Sequence, residues 1–420
     1  METESPGRKT VRIDSIDLLR GIVMVIMMLD HTRDYVHYGA LSLNPLDFSQ
    51  TTTPLFLTRW ITHYCAPIFV FLAGTGAYLQ FARGKSKSEL SRFLISRGLW
   101  LIVLEFTVVR LGALFNIDPG FLGMPQVIWV IGLSMIILAA LIHLPLKVIT
   151  GFGLAMIFLH NLLDKFQVAG PGPGSPGPDA GGKLWMVLHQ QGLFRIAGPE
   201  SPVVLLLYPL IPWIGVMAAG YAFGALYQKD VPSRRRLLLS IGGVAVTLFV
   251  VIRALDRYGE PLQWARQKNV VFTVLSFLNT TKYPPSLLFL LMTLGPGILA
   301  LALFESRRRP ADTEEPASRT LLGRIRSVFV TFGRVPLFFY LLQWPVAHTI
   351  SILLHLAFGK PYAWLFQTPV QWFNEPHPGI GFNLAVVYAC WIAGVLLLYP
   401  LCKWFAGVKQ RRRDWWLSYL

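Results

Sequence analysis

Read for its apolar and polar positions, the 420-residue chain alternates long hydrophobic runs with short polar breaks. The apolar runs occupy about 16–37, 54–82, 93–113, 125–143, 146–163, 203–227, 236–254, 284–304, 328–357 and 381–405. Each comes near the roughly 20 residues that carry a helix across a bilayer core, so the pattern predicts ten transmembrane helices. The expected fold class is all-α, a polytopic membrane protein. An even number of crossings returns both chain ends to one side. Five basic clusters, Arg8 to Arg12, Arg83 to Arg97, Lys229 to Arg236, Arg307 to Arg326 and Lys409 to Arg413, fall on that same side. Positive charge in short loops marks the cytoplasmic face, so both termini are expected there. The reading divides the chain into a cytoplasmic N-terminal segment (1–15), a transmembrane unit (16–405) and a basic cytoplasmic tail (406–420).

The opposite loops, 38–53, 114–124, 164–202, 255–283 and 358–380, are longer on average and poorer in charge. The fourth is an exception, with Arg257, Arg266, Lys268 and Lys282, and is expected to fold back into the protein. The stretch AGPGPGSPGPDAGG at 169–182 lacks the donors and backbone restraint a helix needs and reads as a flexible external loop. RRRPADTEEPAS at 307–318 reads as a mobile cytoplasmic linker.

Composition sharpens this picture. The chain is 54% hydrophobic and only 14% charged, which excludes an ordinary soluble domain. Its formal charge of +16 suggests an anionic partner, but the basic residues sit in the short inter-span clusters where they set orientation. Nucleic acid is therefore excluded as a partner, and membrane lipid is expected. The three cysteines, Cys65, Cys390 and Cys402, lie in or beside apolar runs with no zinc-type spacing, so they read as packing residues and no metal is expected. The polar N-terminus shows no cleavable signal pattern, and the first run should direct insertion itself.

The exceptional feature is the charge inside the first run, IDLLRGIVMVIMMLDHTRDYVHY. Arg20 and His31 stand eleven positions apart, about 20° past three full helical turns, and so share a face while lying roughly 16 Å apart along the axis. Asp17 and Asp34 each lie three positions from one of them, within pairing reach. Charge within a bilayer is costly unless it faces protein or water, which makes this stripe a functional-site candidate. The alternative is that these groups only cap the span where it leaves the membrane. In the second run Arg59 and His63 lie one turn apart, at a depth similar to His31, and His63 reads equally well as a core histidine. Gly74, Gly76 and Ala77 suggest close helix packing and not a nucleotide loop. LNTTKYPPS at 278–286 forms a polar mouth, with Pro284 and Pro285 expected at a helix start. Tyr340, Gln343 and His348 interrupt the ninth run, where Pro336 and Pro345 invite kinks.

RIDSIDLLRGIVMVIMMLDH, FVFLAG, YPLIPWIGVMAAGYAFG, NTTKYPPS and GRVPLFFYLLQ together resemble bacterial proteins of the heparan-alpha-glucosaminide N-acetyltransferase-like family, over nearly the whole chain. The spacing of Arg20 and His31 is similar to that in transmembrane acyltransferases that acylate surface polysaccharides. The resemblance implies an enzyme of the bacterial inner membrane. Acetyl-coenzyme A would be its cytoplasmic acyl donor, and a glycan or amino-sugar amine or hydroxyl its acceptor on the external side. It implies His31 as first candidate for the base, then His37 and His63, with Asp30 or Asp34 as orienting carboxylates. Arg20, Asp17, Lys282, Tyr283 and Gln343 are the candidates for holding the coenzyme. Gln343 stands where related sequences often carry histidine. Two other readings stay open: a proton-coupled transporter using Asp17, Arg20, Asp30, His31 and His63 as a relay, and a non-catalytic scaffold or sensor. A homodimer also stays open.

Overall fold

Proline, glycine and charge decide where these apolar runs break into helices. The computed structural model describes residues 13–40, 42–170, 177–305, 320–375, 377–412 and 414–419. Helix α1 (Asp14–Val36) is unbroken. The second run divides into α2 (Thr53–Thr62) and α3 (Cys65–Ala82). Pro67 explains the break, since it lacks an N–H and its ring crowds the carbonyl four residues back, at His63. The third run begins as α4 (Lys87–Leu104), capped by a reciprocal Ser86–Glu89 box. It widens into a π turn at Glu105–Val109 and ends as α5 (Arg110–Leu114). Strand β1 (Phe121–Gly123), α6 (Val127–Leu141) and α7 (Leu146–Leu159) follow, the last extended by a 3-10 turn at His160–Leu163.

Next come α8 (Ala180–His189), β2 (Gly192–Arg195), β3 (Val203–Leu206) and α9 (Leu210–Gly224). The helix expected from 203 thus starts at Leu210. The branched run Val203 to Leu206 suits a strand, and Pro209 stands at the helix cap. The strands form a small sheet in the order β1-β3-β2, with β1 parallel and β2 antiparallel to β3, which an all-helical reading did not anticipate. Helix α8 begins inside the stretch expected to be loop, capped by Asp179; residues 171–176 of that stretch and the 307–318 linker lie outside the described residues.

Helices α10 (Val231–Leu255), α11 (Val270–Leu278) and α12 (Leu287–Phe304) come next. Ser286 caps α12, so Pro284 and Pro285 precede the helix instead of opening it. The ninth run is two helices, α13 (Leu321–Arg334) and α14 (Pro336–Ala357), because the backbone turns out of helix at Val335. The chain closes with α15 (Pro369–Asn374) and α16 (Leu384–Arg411).

Seven described segments are long and apolar enough to cross a membrane: Thr53–Ala82, Leu146–Leu163, Leu210–Gln228, Val231–Leu255, Leu287–Phe304, Pro336–Ala357 and Leu384–Arg411. The protein is an all-α polytopic membrane protein apart from its small sheet. Of the other three predicted spans, α1 and α4–α5 carry more charge and α6 is short. Helix α1 is the axis of the bundle, packed against α2, α3, α12, α13, α14 and α16. It meets α13 at backbone contact: a Cβ on Gly21 would lie 1.7 Å from the Phe329 carbonyl oxygen, and one on Gly333 1.8 Å from that of Asp17. Gly74 and Gly220 serve α3 and α9 in the same way, as the packing reading of Gly74 expects.

Two faces follow from α1. At its N-terminal face Ser15 donates to Glu305 (3.2 Å), Glu305 pairs with Arg234 (2.5 Å), and the Tyr419 hydroxyl meets Ser96 (2.7 Å). The first and last described residues therefore share that face. At the C-terminal face the 255–283 segment does fold inward, as Arg253 donates to the carbonyls of Leu262, Ser276, Phe277 and Asn279. Cysteines placed at the exposed Glu200 and Lys229 should label with an impermeant thiol reagent from opposite membrane faces, against a low background from the three buried native cysteines. Labelling of both from one face would overturn this two-faced arrangement.

Candidate functional site

A helix that carries Asp17, Arg20, Asp30, His31, Arg33 and Asp34 must give each a partner or a cavity. Toward the N-terminal end of α1, Asp17 and Arg20 pair at 3.9 Å and Arg20 donates to the Leu72 carbonyl at 2.9 Å. Gly76 leaves room there, since a Cβ on it would stand 3.2 Å from the guanidinium. Both Asp17 and Arg20 line a cavity of about 620 Å³ with Arg83, Arg97, Tyr340 and Lys409. Four cationic side chains against one carboxylate make this pocket suited to an anionic ligand.

A second cavity, also about 620 Å³, lies at the other end of the helix. Asp30, His31, Arg33, Asp34, Arg59, Lys282 and Tyr283 all line it. Asp30 pairs with Arg33 (3.1 Å) and with Arg59, and Arg33 also reaches Asp34 (2.5 Å). Three cations thus face two carboxylates and one imidazole. His31 is nearly buried and packs on the Trp344 indole, ring centres 3.7 Å apart. One turn before it on α14, Tyr340 meets Trp344 edge to face. Since Tyr340 lines the first cavity, Trp344 the second and Val127 both, these residues form the partition.

The sequence segment 279–286 reaches this cavity because Glu260 holds it. Its carboxylate accepts from the Thr281 backbone (3.0 Å), the Thr281 hydroxyl and the Ser286 hydroxyl (2.6 Å). Burial raises the Glu260 carboxyl above its ordinary value, outweighing those hydrogen bonds. Burial also pushes the Tyr283 phenol up, but the charges of Lys282 and Arg59 outweigh it and leave the phenol below its ordinary value. Lys282 stands 5.1 Å from the Tyr283 ring centre.

The remaining candidates fall elsewhere. His63 is wholly buried beside Phe289, ring centres 5.3 Å apart, and lines neither cavity. His37 accepts from the Gly39 backbone at 3.1 Å, and its own backbone pairs with Phe382. It too stands outside both linings. Gln343 is buried without a hydrogen-bond partner for its amide among the described residues, again outside both. Lys282 and Tyr283, grouped from sequence with Arg20, stand instead with His31. Sequence reasoning passed over Arg33 and Arg59 as site residues, although the i, i+3 spacing of Arg33 from Asp30 signals the first. It read Arg83 and Arg97 only as part of a cluster that sets orientation, and it missed Trp344, which has no local signal.

A family model described as heparan-alpha-glucosaminide N-acetyltransferase, catalytic, matches residues 12–258. A search of curated proteins finds no match to the chain. The ion pairs give the site its own test. Breaking a buried pair strands its partners at a cost of about 3–5 kcal/mol, whereas an exposed one contributes about 0–1 kcal/mol. Asp34 is half exposed and Asp30 is not. Asp30→Asn should therefore lower the thermal unfolding temperature in detergent far more than Asp34→Asn, and equal effects would refute the buried triad.

Proposed function

The chain belongs to the heparan-alpha-glucosaminide N-acetyltransferase catalytic family, and on that premise we propose that it transfers an acetyl group from cytoplasmic acetyl-coenzyme A to a sugar amine or hydroxyl outside the membrane. The observation that carries this reading is the pair of cavities back to back along α1, one lined by Arg20 and the other by His31. A donor on one face and an acceptor on the other need such an arrangement. We place the N-terminal face in the cytoplasm, on the strength of its basic clusters, and the protein in a bacterial inner membrane with ten crossings.

Arg20, Arg83 and Arg97 would meet the phosphates of the coenzyme, as planar donors suited to phosphate oxygens. Its thiol arm would extend toward the partition at Val127 and Trp344, bringing the thioester to His31. There the His31 imidazole removes the proton of the acceptor amine or hydroxyl as its lone pair attacks the thioester carbonyl carbon. The new C–N or C–O bond forms, the C–S bond breaks, and the proton held by His31 passes to the departing thiolate. Lys282 would face the negative charge that gathers on the carbonyl oxygen. Asp30 and Asp34, tied to Arg33 and Arg59, hold the cationic side chains around His31 in place.

Turnover in lipid vesicles, with acetyl-coenzyme A on the N-terminal face and an amino sugar on the other, tests this reading. His31→Ala should keep the fold and coenzyme binding but lose transfer by about 10²–10⁴-fold, the usual loss for a missing general base. His37→Ala and His63→Ala should lose less. Arg20→Ala should raise the KM for acetyl-coenzyme A with little change in kcat, because a contact remote from the reacting carbon gives uniform binding energy. Near-normal transfer by His31→Ala would remove His31 from the chemistry, and solute flux driven by an ion gradient without transfer would favour transport.

A further inference from the structure

A second group of titratable side chains stands apart from both cavities, where α7 and α8 end. His160 opens the 3-10 turn after α7, Asp164 follows that turn, and His189 is the last residue of α8. One donor atom from each lies within 4.8 Å of the other two. His189 Nε2 and Asp164 Oδ1 are hydrogen-bonded at 2.9 Å, a separation that need open only slightly to reach the ~3.3 Å edge of a tetrahedron with bonds of about 2.0–2.1 Å. Both histidines are 2% exposed. Neither nitrogen of His160, nor Nδ1 of His189, has a hydrogen-bond partner among the described residues. Folded interiors rarely leave buried polar atoms without a protein, water or ion partner.

The surroundings hold the donors in place. Asn161 Nδ2 donates to the second oxygen of Asp164 (2.7 Å), while its own Oδ1 accepts from the Leu287 backbone at the start of α12 (2.9 Å). The Gln190 side chain bonds both backbone groups of Val168, joining the segment after Asp164 to the end of α8. An oriented carboxylate with two buried imidazoles is the setting in which ligand atoms are fixed before an ion arrives.

We propose that His160, Asp164 and His189 form a divalent transition-metal site, best matched to zinc. Two imidazoles and one carboxylate favour zinc and its neighbours over calcium or magnesium, which take oxygen donors. Three protein ligands leave the fourth position to water. The ion would clip the end of α7 to the end of α8, across the Pro- and Gly-rich stretch between them in sequence. The expectation of no metal rested on cysteine spacing, whereas here a His and an Asp four positions apart meet a His from another element. This site does not depend on the acyl-transfer reading.

The test uses full-length protein in detergent, purified through a tag without histidine, stripped by a chelator and equilibrated with Zn²⁺ in excess Mg²⁺. Elemental analysis after desalting should find one zinc per chain, and added zinc should raise the thermal unfolding temperature. His160→Ala, His189→Ala and the near-isosteric Asp164→Asn should each weaken zinc binding by about tenfold or more in competition with a chromophoric chelator. Should the alanine variants misfold, Asp164→Asn and the wild-type stoichiometry still decide. Wild-type protein without zinc, zinc retained unchanged by His160→Ala/His189→Ala, or affinity unchanged in Asp164→Asn would each overturn the site.

Discussion

The ion pairing of Asp30 with Arg33 and Arg59 is the constraint that fixes the C-terminal end of α1. A carboxylate and two guanidiniums withdrawn from bulk water are tolerable only when matched and held. Arg33 comes from the same helix and Arg59 from α2, so the match requires α1 and α2 to lie side by side in one register. The other neighbours of α1 complete its enclosure. Trp391 on α16 donates to the Val25 carbonyl, Cys65 at the start of α3 to that of Val23, and Ser351 on α14 to that of Tyr35. A continuous helix thus becomes a fixed axis with different chemistry at each end.

That rigidity gives the two cavities a defined separation. A straight helix keeps Arg20 and His31 about 16 Å apart, and the partition between them is also held. Val127 opens α6, whose first turn is tied to the buried Glu105, since its carboxylate accepts from the Trp129 backbone at 3.1 Å. Glu105 sits where the α4–α5 helix widens into a π turn, the kind of local irregularity that re-aims a side chain. The α6 N-terminus, with its partial positive charge, is thereby met by an acid and kept beside the partition.

Much of this was legible in the sequence because bilayer-length hydrophobic runs are a strong signal. The boundaries were less so. Pro67 and Pro336 split two runs, but the Pro345 and Pro400 prolines lie inside continuous helices, and only the packed neighbours decide between these outcomes. The shared face of Arg20 and His31 follows from helical periodicity alone, so it could be read directly. The company each keeps could not. Lys282 is more than 250 positions from His31, and only the Glu260 hydrogen bonds bring its segment to the cavity. The same blindness to long-range assembly hid the three-residue group at His160, Asp164 and His189, whose members are unremarkable in sequence.

The division between near and distant contributions bears on what family membership can say. The matched region, residues 12–258, contains Arg20, Asp30, His31, Arg33, Arg59, Arg83 and Arg97. Lys282, Tyr283, Trp344 and Trp372, which complete the cavity around His31, all lie beyond it. The match therefore covers the charged helix and the arginines of the basic pocket, while part of the wall of the cavity around His31 is built from later segments. Arg20 and His31 thus stand on one helix, while Lys282, Tyr283, Trp344 and Trp372 reach the His31 cavity from segments brought there only by the fold. On the proposed acyl-transfer reading, acceptor contacts would be sought around Lys282 and the two tryptophans as well as along α1, because both line one cavity.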